Sequence, residues 1–343
     1  MNDCFRNSYW ENTAIDFKQP FTTVYRLILP EIYQRKVEVR NKLKSTAFLA
    51  IFACLLWASA FAVIKIGLQY TTPLRFAGLR FMLAGLMVLP MVGSYRTAFQ
   101  YIRDNFRLVL LIAFLQTFVQ YTLFYSGLNL VPGALGAIII GAGPLFIALT
   151  AHFFMPNDRL TLPKLGIIFM GIAGIAMVSL SNVSGKETGN LIFIGIILLF
   201  LTNINAGFTN VVIARDARHV PPLVLSSSSL IIGGVLLFLV SLPAEGISFT
   251  IPPLTYYLSI IWLSILSAAA YSIWNFLLQR KEVKVSALNM WKFIVPVFGA
   301  ILSWILIPTE SPDMVSIAGI SITALALVLF NKQNTLQIRE PVI

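Results

Sequence analysis

The chain has 343 residues, of which 57% are hydrophobic and only 11% charged, and its mean hydropathy is +0.81; soluble domains carry about 25% charged residues. Too little polar surface exists to cover a water-soluble fold, so lipid is the expected solvent. A formal net charge of +11 would suggest nucleic acid in a soluble protein, and here it has to be judged by where the charges fall.

Residues 1–46 form a basic tail with no apolar stretch of the kind a signal peptide needs. From Val24 to Lys44, Tyr25, Leu27, Ile28 and Leu29 accompany Arg35, Lys36, Arg40, Lys42 and Lys44. That composition suits an interfacial helix on lipid headgroups or a disordered tail. Ten apolar runs follow, at about 47–68, 74–93, 106–128, 132–154, 163–181, 190–213, 221–242, 254–278, 286–307 and 313–331. Each is close to the roughly 17 to 25 residues that a helix needs to cross a bilayer. Turn residues punctuate the links: Thr72-Pro73, Val131-Pro132-Gly133, Pro156-Asn157-Asp158, Pro221-Pro222, Pro252-Pro253 and Ser311-Pro312. Short links make consecutive helices neighbours.

The charges test this map. With both termini in the cytosol, twenty of the 25 Lys and Arg residues fall on the inner side and Lys186 alone on the outer side. The remaining four, Lys65, Arg75, Arg80 and Lys292, lie in or at the rim of spans. Such a bias is what the positive-inside rule demands of a correct topology.

The two halves also resemble each other. Pro144, Pro156 and Asp158 recur as Pro296, Pro308 and Glu310; Gly166 recurs as Gly319, and Tyr121 as Tyr271, an offset of about 150 residues or five helices. Five is odd, so the second copy enters the membrane in the opposite sense. The expected fold is an all-α integral membrane protein of ten transmembrane helices arranged as two inverted five-helix repeats. The repeats are 47–181 and 190–331, between a cytosolic tail at 1–46 and another at 332–343. Inverted repeats are a common frame for secondary transporters with a midplane site.

Trp57-Ala58-Ser59-Ala60-Phe61 with Lys65, Pro73 before Arg80-Phe81, Tyr121 to Leu128, Pro144-Leu145-Phe146, Asp158-Arg159-Leu160, Gly166 and Gly171 together resemble the EamA family of the drug/metabolite transporter superfamily. The resemblance covers about 47–331. The chain departs from the family pattern at Asn157-Asp158, where Gly-Glu is usual, and at the more degenerate Thr309-Glu310-Ser311-Pro312. It implies a carrier of amino acids, metabolites or drugs, often acting outward.

All fourteen acidic residues lie in the tail, loops or span ends, where a proton-coupled carrier of the usual type would keep a carboxylate mid-membrane. Facilitated diffusion, exchange or a non-carboxylate route is therefore expected. Lys292, one turn before Pro296, could meet a carboxylate or phosphate, or snorkel to the headgroups. Lys65 shares a helix face with Trp57 and Phe61 and suits snorkelling. Arg80 could face the bundle or the rim, and Arg75 reads as a rim anchor.

Uncharged polar residues cluster at Gln116, Gln120, Tyr121 and Tyr125, at Asn203, Asn205 and Asn210, at Tyr271 and Asn275, and at Asn289 and Trp291. They could be a binding site or interhelical glue. The candidate substrate-binding set is Lys292, Tyr271, Asn275, Gln120, Tyr121, Asn203, Trp57 and Arg80. Pro144 and Pro296 are candidate helix breaks with a gating role. Gln120-Tyr121 and Tyr271-Asn275 are expected to face each other across the repeat axis. Ser226 to Ser229 reads as a packing face and His152 as structural.

No catalytic, metal or nucleotide motif is present, so no cofactor, metal or enzymatic activity is expected. The expected partners are a small-molecule substrate and membrane lipids, without nucleic acid; a homodimer is left open. The reading is a multi-pass carrier of a small metabolite, such as an amino acid or related zwitterion or anion, exporting or exchanging it across a cell membrane, the bacterial inner membrane first. The alternatives are a lipid or lipid-linked substrate translocator, or a membrane-embedded enzyme.

Overall fold

The computed structural model describes residues 46–156, 158–183, 189–246, 251–281 and 283–339. The segment 24–44 and Lys186 lie outside these residues. The chain divides into two units, Met1–Phe48 and Leu49–Ile343, and the architecture below is that of the second.

All regular structure among the described residues is helical. The helices are α1 Thr46–Gly67, α2 Pro73–Val88, α3 Tyr95–Asp104, α4 Phe106–Leu130, α5 Gly133–Phe154, α6 Leu162–Val183, α7 Gly189–Asp216, α8 Pro222–Glu245, α9 Leu254–Leu278, α10 Val285–Leu306 and α11 Met314–Arg339. Eight of them (α1, α2, α4, α5 and α7 to α10) are long and apolar enough to cross a membrane. The shorter apolar stretches Leu162–Gly174 and Met314–Phe330 belong to α6 and α11. Phe169, Leu258, Ile305 and Val328 are exposed on these helices, a surface that lipid tolerates and water does not.

α3 has no counterpart among the ten predicted runs. It is too short to span, at 10 residues, and starts where the Ser94 hydroxyl accepts from the Thr97 amide. It buries Ala98 and exposes Tyr95 and Phe99, with Arg96 and Arg103 interleaved.

α2 and α8 pack backbone against backbone because glycines leave room. A Cβ on Gly78 would sit 2.7 Å from the Phe238 nitrogen, and one on Gly234 would sit 2.7 Å from the Met82 nitrogen. Close approach of this kind is how small residues join helices in lipid. The Ser227 hydroxyl donates across the same seam to the Gly85 carbonyl at 3.1 Å, so at Ser227 the serine run meets α2.

Three helix N-termini are capped by carboxylates remote in sequence. Glu245 accepts from the amides of Leu74 at 2.7 Å and Arg75 at 3.0 Å, at the start of α2. Gly246 follows with φ of +70°, a conformation that glycine adopts without steric cost, and its carbonyl takes the Arg75 guanidinium. Glu310 accepts from Gly133 at 2.6 Å and Ala134 at 3.0 Å, at the start of α5. Asp158 accepts from the Ser286 amide at 2.9 Å and from its hydroxyl, at the start of α10. Negative charge at a helix N-terminus satisfies orphan amides and meets the positive end of the helix dipole.

Candidate functional site

α5 is broken near its middle and α10 within its first half. Pro144 offers no N–H, and α5 divides at Ala142 into Gly133–Gly141 and Gly143–Phe154. The Ile139 carbonyl, which takes the Ala142 amide at 3.2 Å, also accepts from Asn203 Nδ2 at 2.7 Å. In α10, a 3-10 turn, Met290–Phe293, separates Val285–Asn289 from Ile294–Leu306, which carries Pro296 in its first turn. The breaks touch: a Cβ on Gly141 would lie 2.4 Å from Pro296 Cδ. Irregular backbone at membrane depth is tolerated where it is packed in protein or lines a cavity.

Beside this crossing lies a cavity of about 120 Å³. Of the eight residues predicted to bind substrate, Lys292, Tyr271, Gln120, Tyr121, Asn203, Trp57 and Arg80 line it. Asn275 does not. It is fully buried, accepts from Gln116 Nε2 at 2.9 Å and donates to Ser226 Oγ at 2.9 Å. Its polar atoms are used in joining α4, α8 and α9. Trp274, Asn210 and Phe61 line the cavity as well. Trp274 was missed by the sequence reading, although its i+3 spacing from Tyr271 places both on one face of α9.

The rings form a continuous wall. The Tyr121 and Tyr271 hydroxyls share a 2.6 Å hydrogen bond across the 150 residues between them. Trp57 meets Tyr271 with centroids 5.9 Å apart and Trp274 with centroids 5.0 Å apart. Lys292 Nζ lies 4.6 Å from the Trp274 ring and 5.3 Å from the Trp57 ring. This is a cation–π pocket, and it draws Lys292 toward the cavity where snorkelling would have drawn it to the headgroups.

Arg80 is 1% exposed. Its guanidinium donates to Tyr125 Oη at 2.5 Å and Ser267 Oγ at 2.8 Å and lies 4.4 Å from the Phe81 ring. Its Nε is buried without a partner. Among the described residues, no Asp or Glu lines the cavity. Two cations thus line one small cavity with rings and amides around them. In a medium of low dielectric, that arrangement favours an entering anion.

The other singled-out residues have local roles. Lys65 Nζ donates to the Leu128 carbonyl at 3.1 Å. His152 Nδ1 accepts from the Leu160 amide at 3.0 Å, a structural bond closing the end of α5.

A helical bundle with membrane-length spans around a solute-sized cavity defines a multi-pass membrane transporter. The chain matches the EamA-like transporter family over residues 44–180 and 193–332 and belongs to that family. It is similar to the uncharacterized transporter YvbV of Bacillus subtilis, with 23% identity over 85% of this chain and 93% of that protein. It is also similar to a probable amino-acid metabolite efflux pump of Salmonella typhimurium, with 28% identity over 75% of this chain and 85% of that one. The uncharacterized inner membrane transporter YedA of Escherichia coli shares 26% identity over 74% of this chain and 81% of its own length. Among solved structures, a crystal structure of a protein 20% identical covers 86% of this chain and 99% of its own with a TM-score of 0.65, a likeness of fold.

Proposed function

We propose that the protein is a secondary carrier that moves a small carboxylate-bearing metabolite, an amino acid or related zwitterion or anion, by alternating access. In this reading ten spans, the eight long helices with α6 and α11, form two inverted repeats at 47–181 and 190–331, with both termini in the cytosol of a bacterial cell. The observation that carries the proposal is the cavity holding Arg80 and Lys292 without an acidic neighbour, beside the crossing of two broken helices.

The offsets support the inverted arrangement. Tyr121 and Tyr271 are equivalent positions and bond to each other. Asp158 and Glu310 are also equivalent, and each caps the broken helix of the opposite half. Carriers of this architecture rock one half against the other around a fixed midplane site. Relatives named as amino-acid metabolite efflux pumps favour outward movement of solutes of amino-acid size. The absence of a carboxylate from the cavity lining favours exchange or facilitated diffusion over proton coupling through an acid.

The test is metabolite profiling of medium and cytosol in cells with and without the protein, repeated with Lys292→Ala and Tyr271→Ala. A solute redistributed by the parent and not by either variant is expected. Equal redistribution by both variants would remove the site.

A further inference from the structure

Four side-chain amides line the cavity: Gln116, Gln120, Asn203 and Asn210. Three of their oxygens already accept from protein donors. Ser229 Oγ reaches Gln116 Oε1 at 3.1 Å, and Asn205 Nδ2 reaches Gln120 Oε1 at 2.7 Å. Trp274 Nε1 and Asn289 Nδ2 reach Asn210 Oδ1 at 3.1 and 3.2 Å.

Partners with only one role fix these orientations except that of Gln116, whose partners Asn275 and Ser229 can each donate or accept. An indole N–H can only donate, which turns the Asn210 oxygen toward Trp274. Asn205 Nδ2 also donates to the Leu115 carbonyl at 2.9 Å, and Asn203 Nδ2 to the Ile139 carbonyl at 2.7 Å. Flipping either amide would set oxygen against oxygen.

Donors are left over. The Lys292 ammonium faces two indole rings. The Tyr121–Tyr271 bond consumes one of two hydroxyl hydrogens. Among the described residues, the Asn203 oxygen is the one lining amide oxygen without a donor, and those of Gln116 and Gln120 each hold one.

We infer that the substrate is a net organic anion, a small mono- or dicarboxylate without an ammonium group, and not a zwitterionic amino acid; the inference rests on the carrier reading and narrows it. A carboxylate accepts from the spare donors in charge-assisted bonds and neutralises cations that have no protein counter-charge. An ammonium group would bring a third positive charge into the space beside Arg80 and Lys292, with no lining carboxylate among the described residues to offset it. The cavity of about 120 Å³ corresponds to roughly four waters at their liquid volume, which limits the substrate to a small organic ion.

The experiment uses the full chain in phosphatidylcholine vesicles, whose neutral headgroups offer no competing anion. The vesicles are loaded with isotope-labelled succinate, 4-aminobutanoate and 1,4-diaminobutane, which share one carbon skeleton with charges of about −2, 0 and +2. The same mixture, unlabelled, is placed outside so that an exchanger can turn over. Protein-dependent release of succinate about tenfold or more faster than 4-aminobutanoate is expected, with the diamine at the protein-free rate.

Lys292→Met keeps the length of the side chain and removes its charge. It is expected to narrow the succinate preference about tenfold while the thermal midpoint stays near that of the parent. Faster release of 4-aminobutanoate or the diamine overturns the inference and leaves the carrier reading standing. Release of none of the three also overturns it, and the carrier reading is then judged by the metabolite profiling.

Discussion

A buried cation without a counter-ion is costly unless something else occupies its field, and the two that face the cavity are where single substitutions will be felt most. Lys292→Ala removes the charge held between Trp57 and Trp274 and is expected to cut transport about tenfold or more, read as initial rate in vesicles with protein amount controlled. Tyr271→Phe deletes one hydroxyl of the 2.6 Å pair and keeps the ring wall. A smaller loss is expected, about fivefold, from one hydrogen bond of about 1 kcal/mol. That seven of the eight candidates line the cavity was legible because ionisable and amide groups are rare in apolar runs. Asn275 was not, because type and spacing cannot tell an amide that faces a cavity from one turned to a neighbouring helix. That choice is made by the tertiary partners Gln116 and Ser226.

At the scale of the element, the breaks in α5 and α10 are legible from Pro144 and Pro296, but their contact is not, since it depends on how two distant helices cross. Gly141→Ala places a methyl group 2.4 Å from Pro296 Cδ, between two ring-constrained or helical backbones that have little freedom to yield. A loss of about 1 to 3 kcal/mol is expected, visible as a lower thermal midpoint in detergent. α4 holds a second concealed feature, the π-helical turn Ala113–Val119 between two α-helical segments. It changes the angular step between Gln116 and Gln120, which then bond in different directions, to Asn275 and to Asn205. Hydrophobic periodicity carries no trace of one widened turn. At the start of α11, Asp313 accepts from the Ser316 amide at 2.8 Å and hydroxyl at 2.5 Å. Burial alone would raise its carboxyl, but these bonds hold it below the ordinary aspartate value. Its stabilising contribution is therefore complete above the unfolded value of about 3.9 and disappears as pH falls through the lower folded value. Asp313→Ala should cost about 1 kcal/mol at neutral pH, and the difference from the parent should narrow as pH falls below the unfolded aspartate value in a pH series of melting midpoints.

Among the described residues, nine of the ten predicted runs coincide with a helix to within about five residues, and the tenth, 313–331, starts with α11, which continues eight residues further, to Arg339, through what the sequence reads as a tail. The signal there is coarse and additive: run length, loop punctuation and the side on which twenty cationic residues collect. α3 escaped because ten residues carrying arginines among exposed rings resemble a loop on any hydropathy scale. Single cysteines at Arg218 and Lys281, labelled from outside intact cells with an impermeant maleimide in a background without Cys4 and Cys54, should stay unmodified until the membrane is opened. Labelling of either from outside would reverse the assigned orientation. The reciprocal capping by Asp158 and Glu310 has a further consequence. Each acid belongs to one half and clasps the amides of the other, at the start of α10 and the start of α5, so weakening one clasp should tilt the molecule toward the face it guarded. Asp158→Asn and Glu310→Gln should then behave as mirror images in accessibility labelling of the cavity. The double variant, with both detents softened alike, should return near the parent's balance while cycling faster.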